Sequence, residues 1–453
     1  MSALRDYDIV KKIGYIIGDN HGSNDTLCRS LETYLSNEDI EWDPVKHRIR
    51  CMGHVLNLAV QYFLFGDNTS NEVDEPNEVD GSDGSDESDG SGTDETEVQS
   101  GKKKKPRGKK GWRQMGPLGK LHNIAVFIRS SVPRFDDFES LAHRTLPLDN
   151  STRWNSWHEM LSVAIEKESV IDEYCKKWFN KLKDDYLSPE DWTFLRAIAK
   201  FLQPFHRATL ETEGDNATID RLLWTMDILS KHYDSSLRLH SSNTRLKTDI
   251  KRSRVIFDKY YKKTEESPAY AAAIILHPSR KVRYIQRNWK RDLQKPALNG
   301  VKKLWESYRE LDALDLSTAS DEISLLADEL DFFDMAGRDL DNDRGRRADE
   351  YEAYLSRGHG KIKGSALDWW LRDEQRKAWP RLSQMAIDIL SIPAMSDEPE
   401  RVFSGARRTI SWSRAKLGST AIEQTQCLKS WMRSGLAYGY DQDQDSDSTS
   451  DTQ

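Results

Sequence analysis

The chain has 453 residues, 37% of them hydrophobic, and a formal net charge of -8, enough for one large or two to three ordinary domains with a modest apolar core. Its four cysteines, Cys28, Cys51, Cys175 and Cys427, form neither a CxxC pair nor a close-spaced framework, which argues against a disulfide-built secreted scaffold. No run of about eighteen apolar residues is present and the start MSALRDYDIVKK has no signal- or transit-peptide character, so a soluble intracellular protein without a membrane partner is expected.

The first element predicted is a strand over Ile13–Ile17, running into a turn at Gly18, Asp19 and Asn20 and then a helix from near Ser23. Leu27, Leu31, Tyr34 and Leu35 give that helix one apolar stripe. A second cycle follows, the basic segment HRIRC and a helix over GHVLNLAVQYFLFG, which predicts a mixed sheet with helices on its faces. Between Asp67 and Ser100 there is no Lys or Arg; that acidic, aromatic-free stretch is expected to be disordered. The run KKKKPRGKK, Lys102 to Lys110, follows at once. It reads as a nuclear import signal, with a solvated linker and a phosphate-contacting arm as alternatives.

Pro117–Val132 is predicted as an amphipathic helix, and another begins in LDNSTRWNSWHEML, capped by Asn150 or Ser151. From there to about Arg372 the pattern is helical almost throughout, with period 3.6 and no strand alternation. The last block, Trp379 to Gly435, predicts three helices, the second capped by Ser396 or Asp397 with Pro399 and Glu400 in its first turn, the third by Ser419 or Thr420. The tail beyond Tyr440 is acidic and polar.

Asp19 falls where the carboxyl end of a strand meets a helix, a place where open sheets gather functional groups; the bland alternative is a turn former. Glu400 could be a charge complementing a helix dipole, or could converge with Asp19 around Mg²⁺, a hard ion suited to carboxylate oxygens. Cys51 and His54 invite a zinc reading, but two ligands without a second pair make no structural site, so a buried thiol and a hydrogen-bonded imidazole are preferred and zinc is not expected. Trp154 is either core or a stacking face for an unpaired base. Trp379, Leu382, Met385, Ala386, Ile389 and Leu390, preceded by Trp369 and Trp370, form an apolar stripe that either completes the core or meets a second chain.

Four segments together resemble the hAT transposase family, from nearly the first residue to about Gly435. They are GYIIGDNHGSND, RIRCMGHVLNLAV, LDNSTRWNSWHEML and ILSIPAMSDEPERVFSGARRTI. The resemblance implies a ribonuclease-H-like sheet with an all-helical insertion before the last catalytic helix. It makes Asp19 the second and Glu400 the third member of a catalytic DDE set, both Mg²⁺ ligands. It gives Cys51, His54 and Asn57 a structural role, Trp154 with Arg153 a DNA-contacting one, and Trp369, Trp370, Trp379, Leu382, Ile389 and Phe403 a place in the family's dimerisation region.

The fold class expected is thus an α/β core, an incomplete ribonuclease-H-like sheet, with a large all-α insertion, mostly helical overall. The divisions are 1–66 partial core, 67–113 acidic then basic linker, 114–158 core helices with the TRWNS segment, 159–372 helical insertion, 373–436 dimerisation region with the last core helix, and 437–453 acidic tail. Only eighteen residues precede Asp19, so the family's first catalytic Asp and zinc-finger domain have no counterpart, and a truncated chain is expected. The reading that follows is a nuclear, transposase-derived homodimer or higher oligomer, with DNA as a candidate partner and no catalysis of its own. Two alternatives stay open: a fragment of an active Mg²⁺-dependent transposase, and a dimerisation module without DNA contact.

Overall fold

In the computed structural model, residues 2–66, 108–149, 154–214, 217–310, 349–358, 360–396, 399, 401–402, 405–407, 417–433 and 435 are described. The chain divides into two compact units, Met1–Met395 and Ser396–Gln453. The expected acidic stretch, most of the basic run, the Asn150/Ser151 cap, Arg153, Glu400, Phe403 and the terminal tail lie outside the described residues.

The first unit opens with a short helix α1 (Ser2–Asp6), strand β1 (Ile16–Gly18), helix α2 (Gly22–Ser36), strand β2 (Arg48–Arg50) and helix α3 (Met52–Phe65). β1 and β2 pair in parallel with Ile16 opposite Arg48 and Gly18 opposite Arg50, a pairing that needs a crossover, here supplied by α2. Among the described residues this is the one sheet, with two strands. β1 begins three residues later than predicted because the indole Nε1 of Trp42 donates to the Gly14 carbonyl at 2.8 Å and Ile13 packs instead on a satellite core of Cys28, Leu31, Leu35 and Trp42.

The rest of this unit is helical, as the 3.6 periodicity predicts: α4 (Gly108–Arg113), α5 (Pro117–Arg129), α6 (Val132–Ala142), α7 (Trp154–Glu166), α8 (Glu168–Lys177), α9 (Phe179–Leu182), α10 (Pro189–Thr212), α11 (Ile219–Leu239), α12 (Thr244–Lys263), α13 (Pro268–Leu276), α14 (Lys281–Asn288) and α15 (Arg291–Arg309). After the undescribed 311–348 come α16 (Glu350–Ser356), α17 (Ala366–Trp370), α18 (Asp373–Ala378) and α19 (Pro380–Leu390). α10 starts on a capping box in which Ser188 and Asp191 satisfy each other's backbone N–H, with Pro189 at the first helical position. α13 is apolar all round and buried along its length from Ala269 to Leu276, so it forms the pin around which α11, α14, α15 and α19 pack.

One continuous hydrophobic core joins α3, α5, α7, α10–α13, α15, α16, α17 and α19. The chain segment after α19 returns to it: Ile219 N–H donates to Ile392 O at 2.8 Å and Ala394 N–H to Ala217 O at 2.9 Å, closing an antiparallel bridge between Thr218 and Pro393. In the second unit, helix α20 (Ser419–Arg433) begins at one of the two predicted cap positions.

Candidate functional site

The end of β1 gathers the polar groups that the sequence singles out. Asp19 is half-buried and its Oδ1 accepts from the backbone N–H of His21 (3.1 Å) and from Asn24 Nδ2 (2.6 Å). Its backbone carbonyl accepts from Arg48 Nη2 at 2.8 Å. Oδ2 has no hydrogen-bond partner among the described residues. Arg48 is buried and ion-paired with Asp25, which Arg50 also approaches at 3.4 Å. Burial pushes the Arg48 guanidinium below its ordinary range, and the neighbouring Arg50 adds to that. Next to Asp19, Asn20 is buried with both side-chain polar atoms unpartnered among the described residues. A desolvated, unpaired amide costs about 1–3 kcal/mol, so this turn holds more polar capacity than its own fold consumes.

The structure describes one of the two expected Mg²⁺ carboxylates, Asp19; Glu400 lies outside the described residues. Among the described residues no cluster of three or more His, Cys, Asp or Glu is arranged for a metal.

Cys51 is buried and outside any disulfide, just ahead of α3, and its N–H donates to Gly18 O at 2.9 Å, extending the β1–β2 ladder by one step. Asn57 accepts the Trp154 backbone N–H at its Oδ1, 3.3 Å away, and so ties α3 to the first residue of α7. His54 lies between them on α3, half-buried. The Trp154 indole is 4% exposed and packs edge-on to His158 and His206, whose rings stack at 4.4 Å. Of the two readings for Trp154 the core one fits this state, since a stacking face must be open to its base.

The core reading likewise fits most of the expected interface residues that are described. Trp370, Leu382 and Ile389 are fully buried and Trp379 nearly so, while Trp369 is half-buried. Trp370 Nε1 donates to the Leu276 carbonyl at 2.8 Å, and Trp369, Trp370 and Trp379 pack on Tyr354 with ring centroids 5.1–6.5 Å apart. Leu382 N–H donates to the Glu350 carboxylate at 2.9 Å. The four buried side chains complete the chain's own core, so the folded unit does not present them to a second chain, while Trp369 is partly open. One apolar stripe that faces solvent was not singled out in the sequence: Leu428, Trp431 and Met432 of α20 are 50%, 53% and 43% exposed. Their i, i+3, i+4 spacing was the available signal.

Residues 350–432, from α16 into α20, match the family model described as the hAT family C-terminal dimerisation region, and residues 49–201 match the ZBED1 RNase-like helical domain. These matches support a transposase-derived protein of the hAT superfamily. It is 24% identical over 93% of its length to the "Putative transcriptional regulator tpeD" of Talaromyces stipitatus, covering 46% of that protein. It is 25% identical over 64% of its length to the zinc finger BED domain-containing protein DAYSLEEPER of Arabidopsis thaliana, covering 41%, and 24% identical over 71% to the "Putative AC transposase" of Zea mays, covering 42%. The chain thus spans somewhat under half the length of these relatives. No helix among the described residues is long and apolar enough to cross a membrane.

Proposed function

We propose that this hAT-derived chain self-associates through its C-terminal region and acts at DNA in the nucleus without cutting it. The observation that carries the reading is the match of residues 350–432 to a dimerisation region, together with the solvent-facing Leu428, Trp431 and Met432 on the helix where that match ends. Three half-exposed large side chains on one helical stripe are self-complementary across a two-fold axis. Nuclear action draws support from relatives named as a transposase and a transcriptional regulator and from the basic run at Lys102–Lys110.

The ribonuclease-H-like reading of the core draws support from the parallel pair β1–β2 joined by α2, with Asp19 at the strand's carboxyl end. In it Asp19 and Glu400 would hold Mg²⁺, which when bound polarises phosphoryl oxygens and activates a water or 3′-hydroxyl. The chain's own part is to fix the Asp19 carboxylate through His21 and Asn24, so that Oδ2 is oriented. That oriented oxygen is also what favours the second reading, a fragment of an active transposase. The first reading predicts a dimer by light scattering that becomes a monomer in Leu428→Ser/Trp431→Ser/Met432→Ser, and no nicking or joining of DNA in Mg²⁺. A monomeric wild type sinks the dimer; Mg²⁺-dependent cutting abolished by Asp19→Asn selects the second reading.

A further inference from the structure

α12 stands apart by charge. In a chain of net charge -8 it carries eight Lys and Arg against Asp249 and Asp258. Its apolar face, centred on Leu246, Ile250 and Phe257, is buried on α3. On the helical wheel Arg245, Arg252, Lys259 and Lys263 fall along one flank, because a step of seven residues returns to nearly the same angle. At 1.5 Å per residue the first three cations are about 10 Å apart, Lys263 follows Lys259 by about 6 Å, and the row is about 27 Å long. Asp249 beside Arg252 (3.3 Å) is its nearest counter-charge.

The row continues beyond the helix at its far end. Burial, and then the field of Arg50 on β2, holds the Lys263 ammonium below its ordinary range, with Glu266 and Asp25 acting the other way. Arg50 is followed in space by Asp25 and Arg48, and Arg48 reaches the backbone of Asp19. Arg48 Nε and Arg50 Nη1 are buried with no hydrogen-bond partner among the described residues. Arg50 lies beside Arg48 and Lys263 and disfavours the charged form of both, while Asp25 is shared between Arg48 and Arg50, so this cationic stretch leads on to Asp19.

We propose that this flank of α12, continued by Arg50, is a track for the phosphate backbone of a DNA duplex leading to the Asp19 turn. It rests on the reading that this chain associates with DNA, and names where. A duplex fits better than a single strand. The row is straight and rigid, and the one large hydrophobic exposed on α12 is Val255, whereas single-strand sites interleave cations with open aromatic rings.

The test uses the full chain and fluorescence anisotropy of a labelled 20-base-pair duplex of mixed sequence between about 50 and 200 mM salt. Arg252→Gln/Lys259→Gln/Lys263→Gln is expected to weaken binding about tenfold or more and to flatten the log–log salt slope by about 0.9 for each phosphate no longer neutralised. Lys181→Gln/Lys183→Gln/Lys200→Gln, on α9, at its C-cap and on α10, is expected to bind like the wild type. Wild type that binds while the α12 triple variant matches it in affinity and slope overturns the track alone. Wild type that binds no duplex overturns the track and the DNA reading together. Tighter binding of a single strand of the same length overturns the duplex assignment. Should the triple variant melt early, the exposed Arg252→Gln alone is read through the salt slope, where an unchanged slope counts against the track.

Discussion

Leu382→Ala separates a core from an interface. Leu382 is fully buried on α19, which packs on α13, α15, α17 and α18, and its N–H is anchored on Glu350. Truncating a buried leucine removes its transfer free energy and leaves a cavity, a cost of about 2–5 kcal/mol. In a unit this size that lowers Tm by several degrees. The mass of the folded protein stays that of the wild type, because the side chain touches only its own chain. On α20 the magnitudes reverse. Roughly half of each of Leu428, Trp431 and Met432 is open, so pairing them in a dimer yields about 1 kcal/mol apiece at the usual ~1.5–3 for a fully buried side chain. Their replacement by Ser should then cost the folded chain about 1 kcal/mol apiece for the half already buried, yet weaken the dimer by orders of magnitude, since both protomers lose them. Thermal melting by circular dichroism, paired with light scattering at a temperature where every variant is folded, reads both. A Leu382→Ala protein that melts normally and loses half its mass refutes the reasoning.

Three further outcomes concern two kinds of buried polar group and one positive-φ glycine. Burial, aided by Arg280, pushes His277 down to about 3, and burial with His206 pushes His158 down to about 4, from an ordinary 6.5. A depressed imidazole contributes stability that is complete above pH 6.5 and is lost as pH falls towards the folded value, about 2 kcal/mol for each histidine at pH 5; the raised carboxyls of Asp227 and Asp388 act in the opposite direction. Urea unfolding at pH 7 and pH 5 should show the loss, and His277→Gln should reduce it; stability that rises on acidification excludes it. Arg113→Met strands the fully buried Asp185, which Arg113 grips at 2.7 and 2.8 Å and Asn123 at 2.8 Å, and should cost about 3–5 kcal/mol in the same assay. Gly116 has φ +66° and a Cβ there would lie 2.7 Å from Arg245 Nη1, so Gly116→Ala is expected to cost about 1–2 kcal/mol; an unchanged urea midpoint would show that the guanidinium moves aside freely.

How much was legible in the sequence depended on range. The helices were, because period 3.6 is a local property, and so was the turn at Asp19, where an apolar run ends in Gly-Asp-Asn. The start of β1 was not: Ile13 looks like a strand residue, but the Gly14 carbonyl is taken by an indole 28 positions away. Nor could Arg48 be recognised as a buried strand residue, since Asp25, which neutralises it, sits on a different element. The stripe through Trp379, Leu382 and Ile389 was legible as apolar but not as inward-facing, because its partner α13 lies about a hundred residues earlier. Leu428, Trp431 and Met432 are diluted by Lys429 and Ser430, and only their exposure in the folded chain sets them apart.

Asp19 remains the residue on which structural and catalytic roles must be pulled apart. As a turn former it offers Oδ1 to two donors, so Asp19→Ala should cost about 1–3 kcal/mol at ~0.5–1.5 per hydrogen bond, while Asp19→Asn, which keeps an equivalent oxygen, should cost less than about 1. That difference reports the turn and nothing else. A metal role predicts another signature, since an ion bound only by the folded state raises its stability by RT ln(1 + [Mg²⁺]/Kd). If this chain retains no working site, millimolar Mg²⁺ leaves Tm of the wild type and of Asp19→Asn unchanged to the same degree. A Mg²⁺-dependent rise in Tm that Asp19→Asn and Glu400→Gln each remove would instead mean that the two carboxylates converge, and that catalysis has to be sought in this chain after all.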